Sequence, residues 1–338
     1  MKQKVIILAL SFLMITPVFG QPSDLTFTFI STAGDNTLRK MEQNAKAVFD
    51  EINNASRENR IPRFSTANMT SGGIDNVLAL WALSRFHCIE SVPAHKEIVS
   101  INIRNQYAVR NIAVHFRDLP DEKERPQDLV IEFDRNSGKI SNITNALKKN
   151  GYDQIMKTGN VVTDERYRQY ILEFVEELRT AYNRQDIDLI KQMFNDEALI
   201  ITGTKITTLI DGKRITHTAY KTQNKEQYIK RLQDAIMPKD TNGKFVNQIT
   251  VDFDKIEVIK GNDEEDKEDK TYLVRLWQKW DSKGRNNYGD EGWLTLVIDF
   301  NQKDPTIWVR VWELPGTPKS ELYDLNCFYA PDTCKHSK

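Results

Sequence analysis

Residues 167–182 read YRQYILEFVEELRTAY, with apolar side chains three or four positions apart. This spacing predicts an amphipathic α-helix, because residues at i, i+3, i+4 and i+7 lie on one side of a helix. Thr163 is the expected N-cap, and Asp164 and Glu165 suit the positive end of the helix dipole. The apolar side of this helix must be buried against another part of the chain.

The segment that follows the helix supplies that partner. It contains a short helix capped by Asp186, a strand at 198–202, a hairpin at Asp211 and Gly212, a helix at 225–236, and strands at 249–259, 272–280, 292–300 and 306–314. Short helices followed by a run of antiparallel strands predict an α+β fold in which a curved antiparallel sheet packs on the long helix.

The first half of the chain repeats this order. Amphipathic helices are predicted at 35–58 and 74–83, and strands follow them. LVIEFD at 129–134 and LVIDFN at 296–301 occupy the same place in each half. The predicted organisation is a first α+β module at 21–150, a linker at 151–165, a second module at 166–316, and a C-terminal tail at 317–338.

The second module carries a family resemblance. Its opening helix with Tyr170, Phe174 and Tyr182, the short helix at 186–194 and the strand at 198–202 resemble the nuclear transport factor two-like (SnoaL-like, cystatin-like cone) superfamily, best over 166–314. The resemblance implies a cone-like sheet with a pocket. Tandem modules of this kind are similar to exported proteins of Gram-negative bacteria. Fold membership alone does not fix a chemistry.

The N-terminus has the features of a secretory signal peptide. Lys2 and Lys4 precede an apolar run at 5–15, and the small residue Gly20 suits cleavage after position 20. The run is shorter than the roughly 20 residues of a membrane-spanning helix. We therefore expect export to the periplasm, the medium or the cell surface, with no membrane span after cleavage.

The charge of the chain and its cysteines predict two further properties. The formal net charge is −1 with both signs interspersed, so a nucleic-acid partner is not expected. In an oxidising compartment, Cys327 and Cys334 are predicted to form a disulfide across a turn at Pro331 and Asp332. Cys88 is then unpaired and is interpreted as a small buried residue.

The candidate ligand-binding residues come from the last strands. Five of the six tryptophans lie between positions 277 and 312. Strand alternation predicts that Trp308, Arg310 and Trp312 share one face. The candidates are Arg275, Trp277, Trp293, Asp299, Trp308 and Arg310. Two interpretations stay open: these side chains line a functional surface, or the tryptophans only cover a half-buried sheet.

No phosphate-binding glycine loop, zinc motif or nucleophile elbow occurs in the sequence, so no cofactor or metal is predicted. Their absence favours a non-catalytic envelope protein that holds a small ligand or a protein partner. The alternative is a dehydratase-like or isomerase-like pocket enzyme with Asp299 as the base. A homodimer formed through the sheet face is a further possibility.

Overall fold

The structure is a computed structural model that describes residues 25–30, 35–89, 94–100, 106–119, 122–159, 161–211, 213–260, 269–285 and 287–329. The expected signal peptide, its cleavage site after Gly20, and Cys334 lie outside the described residues. The signal peptide and the Cys327–Cys334 disulfide therefore stay predictions.

The first half of the chain forms one sheet with two helices packed on it. The helices are α1 (Asp35–Glu58) and α2 (Ser71–Leu83), and the strands are β1 (Phe27–Ile30), β2 (Phe86–Cys88), β3 (Ala94–Ser100), β4 (Tyr107–Phe116), β5 (Pro126–Phe133) and β6 (Ile140–Asn145). The sheet order is β1-β3-β4-β5-β6, with β2 paired to β4. Only the β1–β3 pairing is parallel among those described.

The second half opens with helices and ends with long strands. The helices are α3 (Lys149–Met156), α4 (Glu165–Arg184), α5 (Ile187–Met193) and α6 (Lys225–Arg231), which continues as a π-turn at Leu232–Ile236. The strands are β7 (Phe194–Ile210), β8 (Lys213–Gln223), β9 (Asn247–Lys260), β10 (Thr271–Gly284), β11 (Tyr288–Asp299) and β12 (Thr306–Glu313).

These strands form a sheet in the order β8-β7-β12-β11-β10-β9, which curls as a half-barrel. Ile171, Val175 and Leu178 of α4 are buried against its inner face, where Leu276 and Leu296 belong to the same core. The α+β fold class is confirmed. No helix in the described part of the chain is long and apolar enough to cross a bilayer.

A second side of α4 is buried although it is charged. Glu176, Thr180 and Arg184 lie four positions apart with Arg179 beside them on the same side of the helix, and all four side chains are at most 4% exposed. Leu147 donates its backbone N–H to Glu176 Oε1 at 2.7 Å. A helix face rich in charges would normally face water. Here it faces the end of the first module's sheet.

The charges on this face have partners. Arg110 of β4 forms an ion pair with Glu176, and their side chains are only 5% and 2% exposed. Arg179 Nη2 lies 3.3 Å from Asp252 Oδ1, and Arg179 Nη1 donates to the carbonyl of Ala146 at 2.9 Å. The two halves are therefore joined by the buried Arg110–Glu176 ion pair and by hydrogen bonds, which together we call the junction.

Residues 151–165, predicted as a linker, belong to the folded structure. They include most of α3, and Ile155 and Val162 are buried in the core of the second sheet. The expected N-cap is also corrected by one residue: Asp164, not Thr163, accepts the hydrogen bond from the backbone N–H of Arg166. Whether the two halves fold independently stays a prediction.

Part of the predicted C-terminal tail covers the outer face of the second sheet. After Glu313, the chain reaches α7 (Leu325–Tyr329). Tyr323 and Leu325 are buried against Val309 and Val311 on the side of the sheet away from α4. This face is thus partly occupied by the chain itself.

Candidate functional site

A cavity of about 90 Å³ opens at one end of the inner face of the second sheet. We call it the cone cavity. Strands β7, β10, β11 and β12 supply its walls together with α6 and the π-turn. Its lining residues are Thr202, Gly203, Tyr228, Arg231, Leu232, Ile236, Gln278, Trp280, Tyr288, Asp290, Arg310 and Trp312. Aromatic walls with a few convergent polar groups are typical of small-molecule sites.

Trp312 lies flat across two neighbouring strands because both carry glycine beneath it. A Cβ atom at Gly203 would lie 2.2 Å from Trp312 Cε3, and one at Gly292 would lie 2.8 Å from Trp312 Cε2. Glycine inside a strand often marks such a close approach. The indole Nε1 of Trp312 is buried and has no hydrogen-bond partner in the described part of the chain.

Arg310 is the charged residue at the base of the cone cavity. It is 4% exposed, and its Nη2 lies 3.5 Å from Gln278 Oε1. Its Nε and Nη1 atoms have no hydrogen-bond partner among the described residues. No described carboxylate lies within 4.0 Å of its guanidinium. Burying a charge that no opposite charge balances costs on the order of several kcal/mol, because the charge loses its hydration.

A pair of tyrosines holds the Arg310 guanidinium from one side. Its Cζ atom lies 5.3 Å from the centroid of the Tyr228 ring, in cation–π range. Tyr228 Oη and Tyr182 Oη are 2.7 Å apart. Burial raises the pKa of Tyr228 well above its usual value. Tyr228 is therefore a neutral hydroxyl at physiological pH, and it cannot act as a base there.

The rim of the cavity carries charges of both signs. Arg231 Nη1 donates to Thr202 Oγ1 at 2.8 Å and to Gln223 Oε1 at 3.3 Å. Tyr288 donates its hydroxyl to Asp290 Oδ2 at 2.9 Å, and burial together with this hydrogen bond raises the pKa of Tyr288. The ionised side chains that line the cavity are Arg231, Arg310 and Asp290, so the lining carries one excess positive charge.

Of the six predicted ligand-binding residues, only Arg310 lines the cone cavity. Arg275, Trp277 and Trp293 lie on the outer face, where Trp277 and Trp293 pack edge to face with ring centroids 5.1 Å apart. Arg275 Nη2 donates to the carbonyl of Tyr323 at 2.9 Å. These three residues therefore belong to the outer surface and its covering segment.

Trp308 is also on the outer side, which corrects the predicted face of β12. A register shift between Ile307 and Val309, typical of a β-bulge, breaks the alternation. Trp308 therefore packs with Val309 in the outer core, 6.4 Å from the ring of Phe328, while Arg310 and Trp312 face the cavity. Simple alternation could not predict this bulge.

Asp299 does not line the cone cavity, so the structure gives its suggested role as a base no support in this cavity. It lies at the end of β11, where its Oδ1 accepts hydrogen bonds from the backbone N–H and the side-chain amide of Asn301, both at 2.7 Å. The carboxylate instead stabilises the turn that follows the strand. Asp290 is the carboxylate that lines the cavity.

Patterns in the sequence did not predict the tyrosine pair, Trp280 or the rim as parts of the site. Trp280 packs edge to face on Tyr182 with ring centroids 5.4 Å apart. Gly203 and Gly292, each inside a strand, were the available signal for the close approach of Trp312. The position of the cavity depends on strand pairing, which brings together residues as distant in sequence as Thr202 and Trp312.

A larger cleft of about 390 Å³ lies at the junction. Glu132 and Asn142 line it from the first module, and Glu177, Arg184 and Asp186 line it from the second. Burial lowers the pKa of Arg184 to about 10, while the carboxylates around it act in the opposite direction. Arg184 thus stays charged, and it donates to the carbonyl of Ile143. The cleft is polar and lacks the aromatic walls of the cone cavity.

No protein family model and no curated protein sequence matches the chain. Among solved structures, the chain is similar to the β subunit of the benzoate 1,2-dioxygenase from Burkholderia mallei, at 14% identity over 46% of this chain and 94% of that chain, with a TM-score of 0.32. It is similar to an NTF2-like protein of unknown function from Pseudomonas putida KT2440, at 11% identity over 46% and 93% of the two chains, with a TM-score of 0.28. A third is an LEH-like epoxide hydrolase from M. tuberculosis, at 14% identity over 47% and 94%, with a TM-score of 0.24.

One of these proteins is described as NTF2-like, one is a subunit of a dioxygenase and one is an epoxide hydrolase. A likeness of this size concerns fold and carries no argument about what the cone cavity binds.

Proposed function

We propose that this protein is an exported, non-catalytic binding protein that holds a small ligand in the cone cavity. The observation that carries the proposal is a set of buried N–H donors, on Arg310 and Trp312, that line an open cavity without acceptors from the described residues. Buried polar groups in proteins nearly always have partners. A bound ligand would supply the acceptors that the chain does not.

Binding is favoured over acid/base catalysis by the groups that line the cavity. The high pKa of Tyr228 leaves it protonated at neutral pH. Asp290 is engaged by the hydroxyl of Tyr288 at the rim. A pocket enzyme needs a base with a tuned pKa beside its substrate, and Asp299 lies elsewhere.

Export is supported by the charged and apolar order of residues 1–20. Partners in the envelope and a homodimer through the outer face remain part of the proposal. Part of that face is covered by Tyr323 and Leu325, so a dimer would use the area around Trp277 and Trp293.

The binding function can be tested by intrinsic fluorescence, because Trp280 and Trp312 line the cavity. A panel of one-ring acids, amides, alcohols and amines is titrated into the mature chain. Saturable changes should occur in the wild type and disappear in Gly203→Ala, whose new methyl group pushes against Trp312. If no compound gives a saturable change in the wild type, the proposed function is wrong.

A further inference from the structure

We infer that the ligand of the cone cavity is a monocarboxylate attached to a flat apolar group. This inference rests on the proposed function and names the ligand class of the same cavity. Its basis is the charge, the free donors and the ring-lined walls around Arg310.

The charge of the ligand follows from Arg310. The guanidinium stays protonated in proteins and cannot escape its buried position by losing a proton. Its Nε and Nη1 atoms and the Nε1 atom of Trp312 all donate, and none has an acceptor in the described chain. A carboxylate is an acceptor-only group that would satisfy these donors and neutralise the charge.

A single negative charge fits better than two. Arg310 is the only fully buried cation that lines the cavity among the described residues, since Arg231 is half-buried and already donates to Thr202 and Gln223. Asp290 also lines the cavity and would repel a second negative charge. With one excess positive charge in the lining, a phosphate dianion would leave an unbalanced negative charge.

The body of the ligand follows from the walls. The rings of Trp280, Trp312 and Tyr228 line a volume of about 90 Å³ that is open on one side. Flat rings pack favourably on aromatic side chains in stacked or edge-on arrangements. The volume limits the ligand to about one ring, with any further substituent at the rim beside Arg231.

The test compares phenylacetate with phenylacetamide, which have nearly the same shape and differ in charge. Both are titrated into the mature chain in chloride-free buffer and followed by calorimetry and tryptophan fluorescence. The acid should bind at least about tenfold more tightly, the factor expected for one charged hydrogen bond. Arg310→Met should remove the preference for the acid, and Arg310→Lys should keep part of it.

Arg275→Met is the matched control, because Arg275 is a buried arginine of the same sheet, on strand β10, that faces the other side of the sheet. This variant should keep the preference for the acid. Equal affinity of the wild type for acid and amide would overturn the inference while leaving a ligand cavity in place. The inference would also be overturned if chloride stabilised the protein as much as phenylacetate does, because the site would then hold an inorganic anion. If neither compound nor any of the wider panel binds, the proposed function fails with the inference.

Discussion

Two buried arginines in this molecule have opposite surroundings. Arg110 at the junction forms an ion pair with Glu176, and its Cζ lies 5.8 Å from the centroid of the Tyr152 ring. Arg310 in the cone cavity is as deeply buried but has no carboxylate within 4.0 Å among the described residues. Desolvation costs stability at both sites, but only Arg110 is compensated by a carboxylate among the described residues, whereas Arg310 has only the neutral Tyr228, Tyr182 and Gln278 side chains. The difference indicates that Arg110 stabilises the fold, whereas Arg310 is available to bind a ligand.

The largest expected effect is at the junction. Arg110→Met leaves the Glu176 carboxylate buried without its cation and should lower the free energy of unfolding by about 3–5 kcal/mol. Urea denaturation measures this loss. The matched control is Arg85→Met, whose pair with Asp118 is more than a third exposed and should contribute at most about 1 kcal/mol. Similar losses in the two variants would mean that the junction pair has no special weight.

A smaller effect is expected at the cone cavity wall. Gly203→Ala forces a methyl group against the Trp312 indole and should cost about 1–3 kcal/mol through overpacking. Thermal unfolding measures the cost. Gly316→Ala is the control, because nothing lies within 4 Å of its Cβ position. Equal stability of the Gly203 and Gly316 variants would show that Trp312 does not lie on Gly203.

The smallest expected effect is on stability at acidic pH. Burial alone would raise the pKa of the Asp252 carboxyl. Arg179 and Lys148 lower this pKa by more than burial raises it, so the pKa lies below its ordinary value of 3.8. A lowered folded-state pKa gives stability that is present above the unfolded value and is lost as the pH falls through the folded one. Wild-type stability should therefore fall below about pH 4, and Asp252→Asn should fall less steeply. Denaturation between pH 2 and pH 5 compares the slopes, and parallel slopes would contradict the contribution of this pair.

Local patterns in the sequence predicted the helices better than the site. α1 has the predicted bounds at Asp35 and Glu58, and Asp186 caps α5 by accepting from the Leu189 backbone N–H. Both features depend on neighbours within one or two turns of helix. The buried charges of α4 could not be predicted in this way, because a charged stripe looks the same whether it faces water or another module.

The site was predicted only at Arg310 because its walls depend on long-range pairing. The bulge beside Trp308 places this residue on the opposite side of β12 from Arg310 and Trp312, and no periodic signal in the sequence marks the bulge. Gly203 and Gly292 did carry information, since glycine inside a long strand indicates a close approach. Combining such glycines with the nearby tryptophans would have indicated the inner face.

The central claim is that Arg310 is kept for a ligand and not for the fold, and the most direct measurement is the unfolding free energy of Arg310→Met without ligand. Methionine fills a similar volume without a charge to desolvate. We predict that the variant is at least as stable as the wild type, with a gain on the order of 1 kcal/mol, as seen when buried charges are replaced by apolar residues. A loss of several kcal/mol, like that expected for Arg110→Met, would show that Arg310 is a structural residue and would contradict the account.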